Sequence, residues 1–179
     1  MDWLEQIDWE RLKNPHPMFK IFAPQSPDPT DPFYRKVAKL QTLLMKRPLW
    51  ISDEYRTQKG INSIIASYFN GYTFNVFYEV GDFQALIGFM SIHPEFKCDL
   101  TLKLIDRKLW GADFVRASKE LVELFMKEMR LRRVSIETAD KRIVRMAKMA
   151  DFNEEGYRPD SLRWEGKYYP KFILGKYGD

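Results

Sequence analysis

The chain has 179 residues, of which 45% are hydrophobic and 30% charged, with a net charge of +4 and an isoelectric point near 9.0. This composition excludes a disordered chain, and the length fits one domain with a sizeable core. The mild positive charge favours an anionic ligand without establishing a nucleic-acid binder.

A single cysteine, Cys98, excludes an internal disulfide and fits a reducing compartment. No apolar run reaches the roughly 20 residues that span a bilayer, and the N-terminus lacks the basic start of a signal peptide, so we expect a soluble cytoplasmic protein.

The first 18 residues predict an aromatic arm in front of one domain that spans residues 19–179. Residues 2–13 are predicted to form a short helix with Asp2 as its N-cap, because apolar side chains there lie on one side of a helix. The arm contains two tryptophans, which either dock on a partner or cover the protein's own core. FKIFA at 19–23 predicts a strand.

Two helices and three strands are predicted next. The first helix starts at Asp31 and Pro32, and the second covers Asp53 to Phe69. The apolar face of the first helix is predicted to consist of Val37, Leu40, Leu43 and Leu44. The three strands are predicted at 72–80, 83–92 and 96–105. In the third strand, Cys98, Leu100, Leu102 and Leu104 alternate with polar residues, as in a half-buried strand.

The stretch 107–152 predicts a tight turn, a long helix, a strand and a second helix. The inner face of the long helix is predicted to comprise Phe114, Ser118, Leu121, Val122, Phe125 and Met129. VSIET at 134–138 predicts the strand, and Asp140 is predicted to cap the second helix. The inner face of that helix is predicted to comprise Ile143, Val144, Ala147 and Ala150.

The C-terminal segment predicts two strands joined by a charged connection from Arg158 to Arg163. Pro170 lies inside the last of them. Because proline cannot donate a ladder hydrogen bond, we expect an edge position or a bulge at this residue.

This order of elements resembles the GNAT fold of acyl-CoA-dependent N-acetyltransferases over about residues 72–175. The likeness is to the branch that acetylates the N-termini of ribosomal proteins. LWGADF (109–114) resembles the turn of that branch, LRRVSIET (131–138) its strand after the first central helix, and the stretch 149–176 its closing hairpin. The resemblance implies an α/β (α+β) fold with a mixed, mostly antiparallel twisted sheet and helices on both faces.

GNAT enzymes bind the pyrophosphate of acetyl-CoA on a turn of the form Q/R-x-x-G-x-G/A, whose small residues let backbone amides close on the phosphates. Two registers of this turn compete here. One runs from Arg107 to Ala112 and places Trp110 at the first glycine; the other runs from Lys108 and keeps Gly111 but ends at Asp113, whose charge would repel a phosphate. The cofactor site implied by the resemblance consists of Leu104, Ile105, Arg107, Lys108, Leu109, Trp110, Gly111, Ala112, Asp113 and Asp140.

Acyl transfer to an amine needs a base, since an amine with a pKa near 10.4 is mostly charged at neutral pH. The family's asparagine at the start of the last helix, with a serine three or a tyrosine seven residues on, is replaced here by Asp140, Ile143 and Ala147. The candidates for a base are Glu79, His93, Asp99 and Asp106, each of which also fits a solvated or capping group. Of these, Glu79, Asp99 and His93 are the predicted catalytic residues. Any catalysis is therefore expected to use a base that acts through water.

Two further groups of residues, the Cys98–His93 pair and a basic cluster, allow more than one interpretation. Cys98 and His93 could form a nucleophilic pair, but Cys98 shares an apolar strand face with Leu100, which favours a buried core cysteine. Two histidines and one cysteine predict no zinc site. A basic cluster around the last helix would meet nucleic acid, an acidic protein or the 3′-phosphate of CoA, or it is a solvated helix face. Its members are Arg130, Arg132, Arg133, Lys141, Arg142, Arg145 and Lys148.

The resemblance supports two functional hypotheses. The first is an N-acyltransferase that moves an acetyl or another acyl group from acyl-CoA to a primary amine of its substrate. The second is a chain that has lost catalysis and serves as a binding or assembly module, with the aromatic arm as a protein contact. Some short-tailed bacteriophages carry GNAT-like proteins among their virion or assembly components, so the second hypothesis places the protein in a host cytoplasm or a virion.

Overall fold

The computed structural model describes residues 6–22, 32–47, 50, 52–68, 74–81, 84–106, 109 and 111–178. Within them, the helices are α1 (Trp9–Lys13), α2 (Pro32–Leu44), α3 (Gln58–Tyr68), α4 (Ala112–Glu128) and α5 (Lys141–Met149), with a 3-10 turn at Asp53–Tyr55. The strands are β1 (Phe19–Phe22), β2 (Val76–Val80), β3 (Ala85–His93), β4 (Lys97–Leu104), β5 (Arg133–Thr138), β6 (Asn153–Trp164) and β7 (Lys167–Tyr177). From the first strand onward, this order of elements is the predicted one.

The described strands form one sheet of seven, in the order β1-β2-β3-β4-β5-β7-β6. Neighbours are antiparallel except β4 and β5, which run parallel. A parallel pair cannot be joined by a tight turn, and here the connection contains α4, whose apolar side covers the sheet.

Helices cover both faces of the sheet. The main core lies between the sheet and the helices α4 and α5, where Phe125 of α4 stacks on Phe89 of β3 at 3.8 Å between ring centroids. A second core lies on the other face, where Leu40 of α2 and Ile61 of α3 pack with Phe77 of β2. We call these the α4/α5 face and the α2/α3 face.

Strand β4 alternates between these faces as predicted. Cys98 and Leu104 are buried in the main core. The intervening Thr101 and Lys103 therefore lie on the α2/α3 face. The close packing at Gly88 supports this position of Thr101. A Cβ added to Gly88 would lie 2.7 Å from Thr101 and also from Phe77, which belongs to the second core.

The N-terminal helix differs from the prediction. It begins at Trp9 and not near Asp2, because Asp8 is its N-cap and accepts a hydrogen bond from the Arg11 amide at 3.0 Å. Asp2 lies outside the described residues. Leu12 is fully buried, and its carbonyl accepts a 3.0 Å hydrogen bond from the hydroxyl of Tyr78. Residues 6–13 thus pack on the protein's own core. This is one of the two alternatives for the arm, the other being a contact with a partner.

Tyr78→Phe is expected to lower the free energy of unfolding by about 1 kcal/mol, because the buried Leu12 carbonyl loses its partner. The loss should appear as a lower midpoint in urea and as faster amide exchange in α1. Tyr55→Phe removes a hydroxyl from an exposed tyrosine and is the control. Equal midpoints for Tyr78→Phe and the unmodified protein would contradict the anchoring role of this hydroxyl.

Two predictions about α2 and α3 are wrong in part. Leu43 is 41% exposed, whereas Gln41 is fully buried and donates a 2.9 Å hydrogen bond to the hydroxyl of Tyr68. Gln41 is thus in the interior between α2 and α3, where Leu43 was predicted to be. The predicted second helix is divided, since the 3-10 turn at Asp53–Tyr55 precedes α3.

The interruption before α3 is explained by a contact with the β6–β7 hairpin. The carboxylate of Asp53 accepts hydrogen bonds from the backbone amides of Glu165 and Gly166, at 3.0 and 2.9 Å, in the turn of that hairpin. The amide of Gly166, above all, lowers the pKa of the Asp53 carboxyl. Arg56 stacks on Trp164 at 3.8 Å from the ring centroid. The segment before α3 therefore holds the far end of the hairpin.

The predicted connection at Arg158–Arg163 is wrong, because β6 continues through it to Trp164. Pairing with β7 provides hydrogen bonds that the charged sequence did not indicate. The register shifts between Arg158 and Leu162, opposite Pro170, and β7 pairs with β5 only from Phe172 onward. The expected irregular or edge position of Pro170 is confirmed. None of the described helices has the length and apolar character needed to cross a membrane.

Candidate acyl-transfer cleft

A gap opens between the parallel strands β4 and β5. Their pairing covers only Lys97–Asp99 with Arg133–Ser135, after which the strands separate. Residues 100–104 of β4 remain paired with β3, and residues 136–138 of β5 remain paired with β7. Backbone groups of both strands that point into the gap thus lack a ladder partner across it. Such edges can bind the amide groups of an extended ligand.

The gap forms a cleft of about 180 Å³. Thr101 and Lys103 of β4, Glu137 of β5 and Lys171 of β7 contribute polar groups to it. Its apolar lining comprises Trp50, Leu100, Leu102, Ile136, Ala139, Ile143 and Leu162. The cleft therefore combines an apolar wall with charged groups.

Helix α4 begins beyond the open end of β4. Gly111 is its N-cap in an extended conformation, and the first intrahelical hydrogen bond runs from the Val115 amide to the Gly111 carbonyl at 3.2 Å. The first amides of the helix have no partner inside it, and with the helix dipole they suit an anion such as a phosphate. The cofactor residues Arg107, Lys108 and Trp110, predicted from the sequence, lie outside the described residues.

The charge of Asp113 is compensated. Its side chain is 84% exposed and forms a 2.8 Å ion pair with Arg116. The carboxylate is thus turned into solvent beside a cation, which weakens the repulsion that the sequence predicted for a phosphate at this turn. The residues described at the start of α4 fit a phosphate-bearing cofactor.

A small apolar cavity of about 40 Å³ adjoins the gap on the α4/α5 face. Its lining includes Leu100, Val115 and Ala147. The hydroxyl of Ser118 is buried there without a hydrogen-bond partner among the described groups. The sequence predicted Ser118 on the inner face of the helix but gave no sign of this unpaired hydroxyl.

Asp140, a cofactor residue in the sequence-based prediction, is the N-cap of α5 as expected. It is 6% exposed, and its carboxylate accepts hydrogen bonds from Arg142 and, at 2.9 Å, from the indole nitrogen of Trp50. Burial alone raises the pKa of the Asp140 carboxyl, but the hydrogen bonds from Arg142 and Trp50 outweigh it and hold that pKa below its ordinary value. Asp140 therefore positions Trp50 at the cleft.

The three predicted catalytic residues are not brought together. Glu79 is half-buried on β2 opposite Leu86, whereas Asp99 is exposed on β4 opposite Met90. His93 is exposed at the end of β3, beyond a bulge. Among them, Asp99 lies closest to the gap, at the last residue of β4 that pairs with β5. Within the described part of the chain, no two of these three side chains form an acid–base pair.

Two predicted cofactor residues lie where β4 ends: Leu104 is its last residue, and Ile105 follows it. Leu104 is fully buried in the main core. The carbonyl of Ile105 accepts a hydrogen bond from the guanidinium of Arg47, and its amide donates one to the carbonyl of Gln84 at 2.8 Å. Of the predicted turn, Leu109 packs against the main core, and Ala112 is exposed in the first turn of α4.

The cleft contains two lysines that the sequence did not single out. Lys103 and Lys171 are both half-buried and line the same cleft. Burial, with the neighbouring Lys171 ammonium, lowers the pKa of Lys103 to about 8. Alternation placed Lys103 on the polar side of its strand, but no pattern could show that β7 brings a second lysine beside it.

The structure also accounts for the Cys98–His93 pattern and for the basic cluster. Cys98 is 1% exposed in the main core, where burial raises the pKa of its thiol, so it does not form a nucleophilic pair with the exposed His93. In the basic cluster, Arg133 pairs with Glu155 and Lys148 pairs with Glu154 at 2.6 Å. Part of the cluster is thus neutralised by carboxylates of β6.

Solved structures share this fold. A ribosomal-protein-S5-alanine acetyltransferase from Vibrio fischeri is 14% identical, with a TM-score of 0.63 over 92% of this chain and 95% of that chain. A microcin C7 self-immunity acetyltransferase in complex with acetyl-CoA and AMP is 14% identical, with a TM-score of 0.62 over 91% and 94%. A spermidine N-acetyltransferase from Vibrio cholerae in complex with CoA and spermine is 12% identical, with a TM-score of 0.60 over 90% and 96%.

No protein-family model and no curated protein sequence matches the chain. The similarity to solved structures, at 12–14% identity, concerns the fold. The predicted fold class is confirmed: the chain has the mixed, mostly antiparallel sheet of the GNAT fold, with helices on both faces.

Proposed function

We propose that the protein is an N-acyltransferase that binds acyl-CoA in the cleft between β4 and β5 and transfers the acyl group to a primary amine. The observation that carries this proposal is the gap between these strands, with the unpaired amides of α4 beyond its open end. Two structures with the same fold are complexes with acetyl-CoA or CoA. The described residues supply the two features that such a ligand needs, an anion site and an open strand edge.

Each part of the cleft has a role in this proposal. The first amides of α4 would hold the pyrophosphate, and the backbone of residues 100–104 would hold the amides of the cofactor. The bound cofactor supplies a thioester whose carbonyl carbon is open to attack by an amine. The apolar lining, with Trp50 held by Asp140, keeps bulk water away from the thioester.

The proton of the acceptor amine must leave through a group of this chain or through water. Glu79, Asp99 and His93 remain the proposed acid–base residues. Because they lie apart, we propose that water relays the proton to one of them, with Asp99 the best placed beside the gap.

Acetyl-CoA is expected to raise the melting temperature, since a ligand at 100 times its dissociation constant stabilises the folded state by about 2.7 kcal/mol. Thermal unfolding with acetyl-CoA, together with calorimetric titration, measures the effect. No shift at millimolar acetyl-CoA would contradict the proposal. Release of free CoA thiol with a panel of amines then tests for transfer.

A matched pair of variants locates the phosphate site. Gly111 has an extended backbone that other residues adopt, so both Gly111→Asp and Gly111→Asn preserve a good N-cap for α4. Only the aspartate adds a charge that repels a phosphate. We expect Gly111→Asp to weaken acetyl-CoA binding at least tenfold more than Gly111→Asn does. Equal affinities in the two variants would exclude the start of α4 as the phosphate site.

The second candidate function is a binding or assembly module without catalysis, the alternative that includes a phage virion component. It is favoured by the separation of Glu79, Asp99 and His93 and by the full use of the Asp140 carboxylate. Binding of acetyl-CoA without thiol release for any amine would support it. A partner that binds the apolar side of residues 6–13 would require their release from the core, since Leu12 is fully buried.

A further inference from the structure

Lys103 and Lys171 bring two ammonium groups to one cleft from different strands. Lys103 is on β4 and Lys171 on β7, and both contribute to the lining of the gap. The two are close enough for the charge of Lys171 to affect the titration of Lys103. A pair of like charges in a half-buried position is unfavourable for the folded chain unless something compensates it.

No carboxylate of the described residues compensates this pair. Other lysines of the described residues have a carboxylate partner, as Lys148 has Glu154 and Lys119 has Asp151, at 2.6 Å in both cases. Among the described residues that line the same cleft, the acid is Glu137, and it pairs with Arg158 at 3.1 Å. Among the described residues, Lys103 and Lys171 form no ion pair, so an anionic ligand could bind to both.

The position of the lysines assigns that ligand to one of the two substrates. Lys103 lies on the α2/α3 face, whereas α4, with its anion-binding amides, covers the other face. A cofactor held at α4 reaches the gap from the α4/α5 face. The second substrate must then approach the gap from the α2/α3 face, where the two lysines are.

We propose that the acceptor carries a carboxylate group that binds between Lys103 and Lys171, so that the substrates are amines with an acidic group in the same molecule. This inference rests on the proposed function and narrows its substrate class. The same charges repel polycationic acceptors, in contrast to the spermine bound by one structure of the same fold. The carboxylate belongs either to a small amine or to acidic side chains near the N-terminus of a peptide.

Binding is tested without acyl-CoA, by calorimetry with three hexapeptides that have a free N-terminus and contain three glutamates, three glutamines or three lysines. We expect the glutamate peptide to bind at least tenfold more tightly than the glutamine peptide, and the lysine peptide to bind least. Free glutamate and spermidine form the small-molecule arm. Tighter binding of free glutamate than of the glutamate peptide would assign the site to small amines, within the proposal. Equal affinities for all ligands would overturn it.

Variants test the residues. Lys103→Met and Lys171→Met are each expected to weaken binding of the glutamate peptide at least fivefold, and Lys103→Arg is expected to retain it. Lys39→Met removes the same charge from an exposed position on α2 and should leave binding unchanged. An equal loss in Lys39→Met would show a general charge effect and overturn the proposal.

The outcomes separate this inference from the proposed function. A glutamate peptide that binds but is never acylated contradicts the acyltransferase while the anion site stands. Acylation of acidic, neutral and basic amines at similar rates supports the acyltransferase and overturns the anion site. A loss of acetyl-CoA affinity in Lys103→Met and Lys171→Met as large as the loss for the peptide would place these lysines on the cofactor and also overturn the inference.

Discussion

Asp140→Ala is expected to lower the free energy of unfolding by about 3 kcal/mol, more than any other single change considered. The loss of an N-cap costs about 1 kcal/mol, and the loss of a hydrogen bond to a charged carboxylate costs about 1.5–3 kcal/mol more. Here the donor is the indole nitrogen of Trp50, and Arg142 also loses its ion pair with Asp140. Chemical denaturation at pH 7 measures the change.

Asp140→Asn is the matched control, because asparagine also caps a helix and can accept the hydrogen bond from Trp50. We expect it to lose about 1 kcal/mol, through the weaker contact with Arg142. A loss for Asp140→Asn as large as that for Asp140→Ala would show that the charge dominates and that the Trp50 contact contributes little.

The pH dependence of the same site has a definite sign. The pKa of the Asp140 carboxyl is lower in the folded state than in the unfolded chain, where it is about 3.9. Its contribution to stability is therefore complete above the unfolded-state value and is lost as the pH falls through the folded-state value. Asp140→Asn should remove this part of the acid sensitivity.

Lys103→Met is expected to stabilise the protein by about 2 kcal/mol at pH 7, the second largest effect. Burial and Lys171 lower the pKa of Lys103 to about 8, against about 10.4 in an unfolded chain. A difference of that size sets an upper limit of about 3 kcal/mol, which partial exposure to solvent reduces. Methionine fills similar space without a charge.

The pH dependence identifies the cause. Below pH 8 the Lys103 ammonium is charged in both states, so its burial penalises the folded state in full. Between pH 8 and about 10.4, the unfolded chain binds the proton and the folded protein does not, so stability rises with pH. The advantage of Lys103→Met should therefore shrink across this interval.

Lys59→Met, at an exposed position of α3, is the control and should change stability by less than about 0.5 kcal/mol. A Lys103→Met variant that is less stable than the unmodified protein at pH 7 would contradict the unfavourable burial. If Lys103 is there to bind a ligand at a cost in stability, Lys103→Met should be more stable than the unmodified protein and should bind the glutamate peptide more weakly.

Much of the fold could be predicted from the sequence because short-range patterns specify it. The apolar spacing of α4, the alternation of β4 and the N-cap Asp140 each depend on residues a few positions apart. Pro170 was assigned to an irregular position for a similar reason, since a proline has no backbone N–H in any sheet.

Two of the errors have a common cause, which is a contact between segments far apart in the chain. Gln41 replaces Leu43 in the interior because Tyr68 of another helix offers a hydrogen bond. The charged run in β6 is a strand because β7 pairs with it, and its pattern carried no sign of that partner. The pairing energy of a second strand outweighed the local sequence.

The sequence by itself determined the order of elements, the apolar faces of the central helices and the place of a helix start beyond the fourth strand, because these depend on neighbouring residues. Only the tertiary structure decided what lies in the cleft. It placed Trp50 on Asp140 across 90 residues, brought Lys171 beside Lys103, and kept Glu79, Asp99 and His93 apart. Chain folding sets such distances through the register of strands and the packing of helices, and a linear pattern does not contain them.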